Sequence, residues 1–90
     1  MPTISILIKG KVQGVFYRAS AKQKARELGL TGWVRNTDEG YVEAVATGSQ
    51  EQLQQFTEWC KKGPPQAVVS EIQVKPMEQR AFGEFKIARD

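Results

Sequence analysis

Apolar side chains follow two kinds of spacing along this chain, and the spacing changes where glycine or proline occurs. The segment Thr3–Lys9 has isoleucine at every second position, which predicts a half-buried strand. The segment Phe16–Leu28 repeats apolar residues every three or four positions, which predicts an amphipathic helix. Gly29 directly follows and would end that helix. The first third of the chain therefore predicts a strand, a glycine-containing loop and a helix.

The middle of the chain predicts a hairpin followed by a second helix. Thr31–Asn36 and Tyr41–Thr47 have strand-like alternation, and a polar turn ending in Gly40 separates them. Ser49 has Gln52 three positions later, the capping-box pattern of a helix start. Gly63-Pro64-Pro65 would stop this second helix.

The last third predicts a fourth strand and a short fifth one. In Val68–Lys75, the residues Val68, Ile72 and Val74 are expected to share one face, and Phe85–Ile87 could form the final strand. The order is β-α-β-β-α-β, which is that of the ferredoxin-like split βαβ sandwich. We therefore predict an α+β fold with a four-stranded antiparallel sheet, a short C-terminal strand and two helices on one face.

Length, charge and cysteine content narrow the classes of protein. The chain has 90 residues, enough for one small domain spanning 1–90, and a net charge of +3. Its basic residues are dispersed, which favours a small anionic ligand over a nucleic acid. Cys60 is the single cysteine, so no intramolecular disulfide can form. With no signal peptide or membrane-length apolar run, these features predict a cytoplasmic protein without a membrane partner, and Cys60 as a core residue.

The chain contains no histidine, which restricts its possible chemistry. Histidine is the commonest general base and a common metal ligand, so Ser-His and Cys-His pairs are excluded. With a single cysteine as well, we expect no transition-metal site and no cofactor. Any catalysis would depend on arginine, amides, carboxylates, tyrosine or the substrate itself.

The segment Gly10–Arg18 links the first strand to the first helix. A glycine-containing loop that opens a helix can direct several backbone N–H groups at one anion, and the helix start carries partial positive charge. The guanidinium group of Arg18 could bind two phosphate oxygens together. The spacing matches neither of the common glycine-rich nucleotide loops. A tight turn beside a surface arginine that binds nothing is equally compatible with it.

The predicted topology brings a second polar residue to the same edge of the sheet. Strands one and two would run in the same direction on either side of strand three, about 10 Å apart. Their C-terminal ends carry the loop with Arg18 and the residue Asn36, respectively. The amide of Asn36 could orient a water molecule or a second ligand group. It could equally cap the following turn, and local sequence slightly favours that role.

Three segments of the chain stand out together, G-K-V-Q-G-V-F-Y-R at 10–18, L-G-L-T-G-W-V-R-N at 28–36 and G-Y-V-E-A-V at 40–45. In sequence and separation they are similar to segments of acylphosphatases. The resemblance extends over nearly the whole chain and includes the G-P-P that follows the second helix. It implies a ferredoxin-like fold and hydrolysis of the carboxyl–phosphate bond of acyl phosphates, without a metal or a covalent phosphoenzyme.

The resemblance also implies site residues. The catalytic arginine and asparagine of the family correspond to Arg18 and Asn36, which would hold the phosphate and position the water. The phosphate-binding loop corresponds to Val12, Gln13, Gly14, Val15, Phe16 and Tyr17. Because a carboxylate is a good leaving group, charge stabilisation and positioning would suffice, and a substrate oxygen could accept the water proton.

Two alternatives to a free-standing, monomeric enzyme remain at this point. Ferredoxin-like domains include RNA-binding modules, but their aromatic signature is absent from Tyr41–Thr47, so no nucleic-acid partner is expected. Acylphosphatase-like domains also bind acyl or carbamoyl phosphate within larger enzymes, although a 90-residue chain with its own start favours the free-standing form. Whether Lys11, Tyr17 or Arg35 contacts the substrate is left open by the sequence.

Overall fold

The computed structural model describes residues 1–88, which form five strands and two helices. The strands are β1 (Thr3–Lys11), β2 (Thr31–Asn36), β3 (Val42–Thr47), β4 (Val68–Met77) and β5 (Phe85–Ile87). The helices are α1 (Tyr17–Glu27) and α2 (Gln50–Lys62). This is the predicted order of elements, with the first and fourth strands each two residues longer than the sequence pattern indicated.

The strands form one sheet in the order β4-β1-β3-β2-β5. The first four strands pair antiparallel, whereas β5 adds parallel to β2, so the complete sheet is mixed. Helix α1 packs on β2 and β5, and α2 packs on β4 and β1. The predicted ferredoxin-like α+β sandwich is thereby confirmed. Because β1 and β2 both pair antiparallel with β3, they run in the same direction and end at the same edge.

The core lies between the sheet and the two helices. The apolar stripes predicted from helical spacing are buried there, including Tyr17 of α1 and Phe56 and Cys60 of α2. The Tyr17 hydroxyl donates a hydrogen bond of 2.7 Å to the Cys60 carbonyl oxygen. Burial raises the pKa of the Cys60 thiol to about 12 and raises the pKa of Tyr17 well above its usual range. Cys60 is thus a core residue, as predicted.

Val68 does not share the buried face predicted for it, because β1 and β4 pair with a bulge. The register shifts between Lys9 and Gly10, so that Gly10 pairs with Val69 and Lys11 with Val68. This shift turns Val68 outward, where it is 63% exposed, and packs Val69 against the core. Gly10 has φ +125°, and a Cβ there would overlap the Val68 carbonyl oxygen. Gly10 therefore belongs to the strand, and its glycine is required by the close approach of β4.

Candidate active site

The loop from Val12 to Phe16 connects β1 to α1 and is anchored by its buried valines, Val12 and Val15. The backbone has a positive φ at Gly14 (+75°), which lies between these anchors, and again at Phe16 (+65°), which directly follows Val15. Phe16 is the single non-glycine with positive φ in residues 1–88, and its side chain is 76% exposed. Backbone that alternates in hand can direct successive N–H groups into one concavity. Such a loop is suited to binding an anion.

The two helices begin in different ways. Helix α2 has the predicted capping box, in which the Ser49 hydroxyl accepts from the Gln52 N–H at 3.1 Å and the Gln52 side chain accepts from the Ser49 N–H at 2.8 Å. Helix α1 begins at Tyr17, its N-cap residue Phe16 makes no side-chain capping hydrogen bond, and its first turn contains no acidic residue. The first N–H groups of a helix have no partner within the helix. At α1 they are therefore available to a ligand, together with the positive end of the helix dipole.

Arg18 and Asn36 lie on one cleft at the edge of the sheet. The cleft has a volume of about 510 Å³ and is lined by Val12, Gly14, Phe16, Tyr17, Arg18, Ala19, Asn36 and Ile87. The structure thus brings the loop, the start of α1 and the end of β2 together, as the topology predicted. Gln13 and Val15, also predicted for the loop, do not line the cleft.

The side chains of Arg18 and Asn36 leave polar groups without a protein partner in the part of the chain that the structure describes. Within residues 1–88, Arg18 takes part in no ion pair. The Asn36 Oδ1 atom is buried and has no hydrogen-bond partner among residues 1–88. Leaving a buried acceptor unpaired costs about 1–3 kcal/mol, so a buried oxygen of this kind is a candidate acceptor for a ligand or water donor.

Thr37, rather than Asn36, caps the turn between β2 and β3. The Thr37 hydroxyl accepts from the Tyr41 N–H at 3.1 Å, and the Thr37 N–H donates to the Tyr41 carbonyl at 2.9 Å. The capping role that the local sequence slightly favoured for Asn36 is therefore filled by its neighbour. This leaves the Asn36 side chain to the cleft.

Gln13 links the loop to this same turn, a role that sequence reasoning missed. Its Nε2 donates to the carbonyl oxygens of Thr37 (3.0 Å) and Tyr41 (2.8 Å). The loop that precedes Arg18 is thus held to the strand end that carries Asn36. The sequence predicted only a backbone N–H contribution from Gln13. The one available signal was an amide side chain with two donors inside an otherwise apolar loop.

We expect Gln13→Ala to lower kcat/KM for benzoyl phosphate by about tenfold, because a small displacement of positioning groups is costly in rate. The substitution removes both links but leaves each carbonyl its second donor within the turn. The measurement is steady-state hydrolysis together with urea unfolding. Gln66→Ala, a change of the same type at an exposed residue, is the control. A Gln13→Ala rate equal to that of the control would show that the link does not position the loop.

The structure also places the three residues whose substrate contact the sequence left open. Tyr17 directs its hydroxyl into the core, as described above. Arg35 forms an ion pair of 2.7 Å with Glu43, its cross-strand neighbour. Lys11 is exposed at the end of β1. Of the three, Tyr17 is the one that lines the cleft.

Two kinds of feature are absent from residues 1–88. No group of three or more Cys, Asp or Glu side chains there is arranged to hold a metal ion. In the same residues, neither helix has the length and apolar character needed to cross a membrane.

A family model, sequence relatives and solved structures match this chain to the acylphosphatases. The family model described as Acylphosphatase matches residues 4–87. An acylphosphatase of Methylococcus capsulatus is 50% identical over 91 residues, covering 100% of this chain and 99% of that protein. A solved acylphosphatase from Coxiella burnetii superimposes with a TM-score of 0.94 at 42% identity, covering 97% of this chain and 92% of that one. The acylphosphatase from Bacillus subtilis gives a TM-score of 0.96 at 36% identity, with 99% and 100% coverage.

Proposed function

The chain belongs to the acylphosphatase family, and from that premise we propose how its cleft carries out the hydrolysis. Members of the family are enzymes (EC 3.6.1.7) that act on small acyl phosphates and release carboxylate and inorganic phosphate. The observation that carries the proposal is the meeting of three unsatisfied groups in one cleft. They are the uncapped start of α1, the Arg18 guanidinium and the Asn36 side-chain amide.

The phosphoryl group binds to Arg18 and to the N–H groups of the loop and the first turn of α1. Arg18 offers a planar pair of donors that matches two phosphoryl oxygens. The loop N–H groups and the helix dipole add partial positive charge at fixed positions. Because these donors are in place before the reaction, they can stabilise the charge that shifts onto the phosphoryl oxygens in the transition state.

Asn36 positions the attacking water. Asn36 lines the cleft, and its side-chain amide hydrogen-bonds the water and directs the water oxygen toward phosphorus. A bond forms between the water oxygen and phosphorus while the bond from phosphorus to the acyl oxygen breaks, and its electrons leave with the carboxylate. A phosphoryl oxygen of the substrate takes the water proton. The products are the carboxylate and inorganic phosphate, with no covalent intermediate.

No side chain of the protein needs to act as a general base in this scheme. The chain has no histidine, and Tyr17 and Cys60, whose pKa values burial raises, are both held protonated in the core. Their raised pKa values remove Tyr17 and Cys60 as bases near neutral pH. A carboxylate leaving group is weakly basic, so no strong general acid is needed either. The proposed reaction is therefore independent of metal and assisted by the substrate.

The test of this proposal is release of phosphate from benzoyl phosphate by the purified chain, with and without a chelator. We expect saturable hydrolysis well above the spontaneous rate and equal rates in the two conditions. Saturable binding of the substrate without turnover would indicate a binding module instead. Loss of activity with the chelator would contradict the metal-free mechanism.

We expect kcat to change little between about pH 5.5 and 8, because unperturbed carboxylates and tyrosines titrate outside that window. The Cys60 thiol, whose pKa burial raises to about 12, stays neutral below that value and cannot introduce a transition. The measurement is the rate at saturating benzoyl phosphate, corrected for spontaneous hydrolysis. A steep bell centred near neutral pH that persists in Cys60→Ala would show an enzyme acid–base pair and contradict the substrate-assisted mechanism.

The proposal includes a setting for the reaction, namely the domain organisation, oligomeric state and location of the chain. Residues 1–90 act as one domain, and the chain works as a monomer in the cytoplasm. Its partner is the small-molecule substrate, with no nucleic acid or membrane involved. The dispersed basic residues and the single buried cysteine support this setting. Size-exclusion chromatography of the purified chain tests the monomeric state.

A further inference from the structure

A groove between α1 and β5 continues directly from the cleft. It has a volume of about 570 Å³ and is lined by Ala19, Lys22, Gln23, Arg26, Glu27 and Ile87. Ala19 and Ile87 also line the cleft, so the two spaces share a boundary. A molecule whose phosphate lies against Arg18 can therefore extend its other end over these two side chains and along the helix.

The groove fits the acyl part of a substrate in shape and polarity. The shared boundary is formed by the methyl group of Ala19 and the aliphatic chain of Ile87, which suit a short hydrocarbon segment. The far wall consists of charged and amide side chains of α1. An acyl chain passing over the boundary would thus meet apolar groups near its carbonyl and polar groups at its end.

The charges along the groove favour an acyl chain whose far end is anionic and lies beside Lys22. Lys22 follows Arg18 by four residues, so it lies on the same side of α1, about 6 Å further along the helix axis. Within residues 1–88, Lys22 has no ion-pair partner. Arg26, the other cation that lines the groove, already has protein partners. Its Nε donates to the Phe85 carbonyl at 3.0 Å, and its guanidinium pairs with Glu84 at 2.9 Å.

We propose that this groove binds the acyl chain of the substrate and that Lys22 selects acyl phosphates whose chain ends in a carboxylate. The preferred substrates are then the monophosphates of short dicarboxylic acids. Glu27, which also lines the groove, lies about 7.5 Å beyond Lys22 along the helix and would repel an anion that reaches further. The selection is thereby limited to short chains. This inference rests on the proposed function, because the phosphate must occupy the cleft beside Arg18.

Two substrates of equal carbon number test the selection. Fumaroyl monophosphate ends in a carboxylate, whereas crotonoyl phosphate ends in a methyl group. The trans double bond prevents the carboxylate from attacking its own acyl phosphate. The measured quantity is the ratio of kcat/KM for fumaroyl to kcat/KM for crotonoyl phosphate. Since every variant is given the same two substrates, their intrinsic reactivities cancel when ratios are compared between variants.

We expect Lys22→Gln to lower this ratio by about three- to tenfold, the range for a partly exposed charge pair in a site. Lys22→Arg should retain most of the ratio, and Glu27→Gln should raise it. Added salt should lower the ratio of the wild-type chain and have little effect on that of Lys22→Gln. Lys24→Gln is the matched control, because Lys24 lies on the same helix, carries the same charge and does not line the groove.

An unchanged ratio in Lys22→Gln, or an equal fall in Lys24→Gln, would overturn the selection by Lys22. The proposed function is judged separately by the wild-type chain alone. Hydrolysis of crotonoyl phosphate supports the proposed function whatever the ratios are. If neither of the two substrates is hydrolysed, the proposed function is contradicted. The two failures are therefore distinguishable in one set of measurements.

Discussion

Arg18→Lys is expected to lower kcat/KM for benzoyl phosphate on the order of a hundredfold or more, because the loss of a transition-state donor costs about 3 kcal/mol. Lysine keeps the positive charge but replaces the planar pair of donors with a single ammonium group. Within residues 1–88, Arg18 contributes no ion pair to the fold. The loss should therefore appear in the rate and not in the stability.

The matched control is Arg35→Lys, the same substitution in β2 at a residue that does not line the cleft. Arg35 pairs with Glu43, and a cross-strand ion pair of this kind contributes about 0.2–1 kcal/mol to stability. Urea unfolding and steady-state rates are measured on both variants. An Arg18→Lys rate within about twofold of the wild-type rate would remove Arg18 from the proposed mechanism, since its planar pair of donors would then contribute almost nothing to the rate.

Asn36→Ala is expected to lower kcat by about a hundredfold while leaving the affinity for inorganic phosphate nearly unchanged. The reason is the division of roles, since Asn36 is assigned to the water and Arg18 to the anion. The substitution also removes a buried oxygen that has no partner in residues 1–88. Stability should therefore be unaffected or slightly increased. The measurements are turnover of benzoyl phosphate, inhibition by phosphate, and urea unfolding.

Thr37→Ala controls for damage to the turn that follows β2. The Thr37 hydroxyl accepts from the Tyr41 N–H, so this variant should lose stability more than Asn36→Ala does. If Asn36→Ala reduced phosphate affinity and turnover by the same factor with intact stability, Asn36 would be a phosphate ligand. If it instead unfolded as readily as Thr37→Ala, its side chain would be supporting the turn.

Local spacing in the sequence determined the elements and their order. The alternation of isoleucines in β1, the capping box at Ser49 and the stops at Gly29 and Gly63 are all properties of a few neighbouring residues. Such signals report local backbone preference and can be interpreted without knowing the partners. From the order of elements it followed that the ends of β1 and β2 share an edge. The sequence thus located the cleft beside Arg18 and Asn36 before any side-chain contact was known.

Side-chain contacts between distant segments were decided only by the tertiary structure. Gln13 reaches a turn that lies 24 residues further along the chain, and its role depends on which carbonyls happen to face it. The choice of Thr37 over Asn36 as the cap, and the outward turn of Val68 at the bulge, depend on register and rotamer in the same way. The groove beside Lys22 exists because β5 adds parallel to β2 next to α1. Local pattern specifies which residues can form an element, whereas packing between elements selects the groups left unpaired at the site.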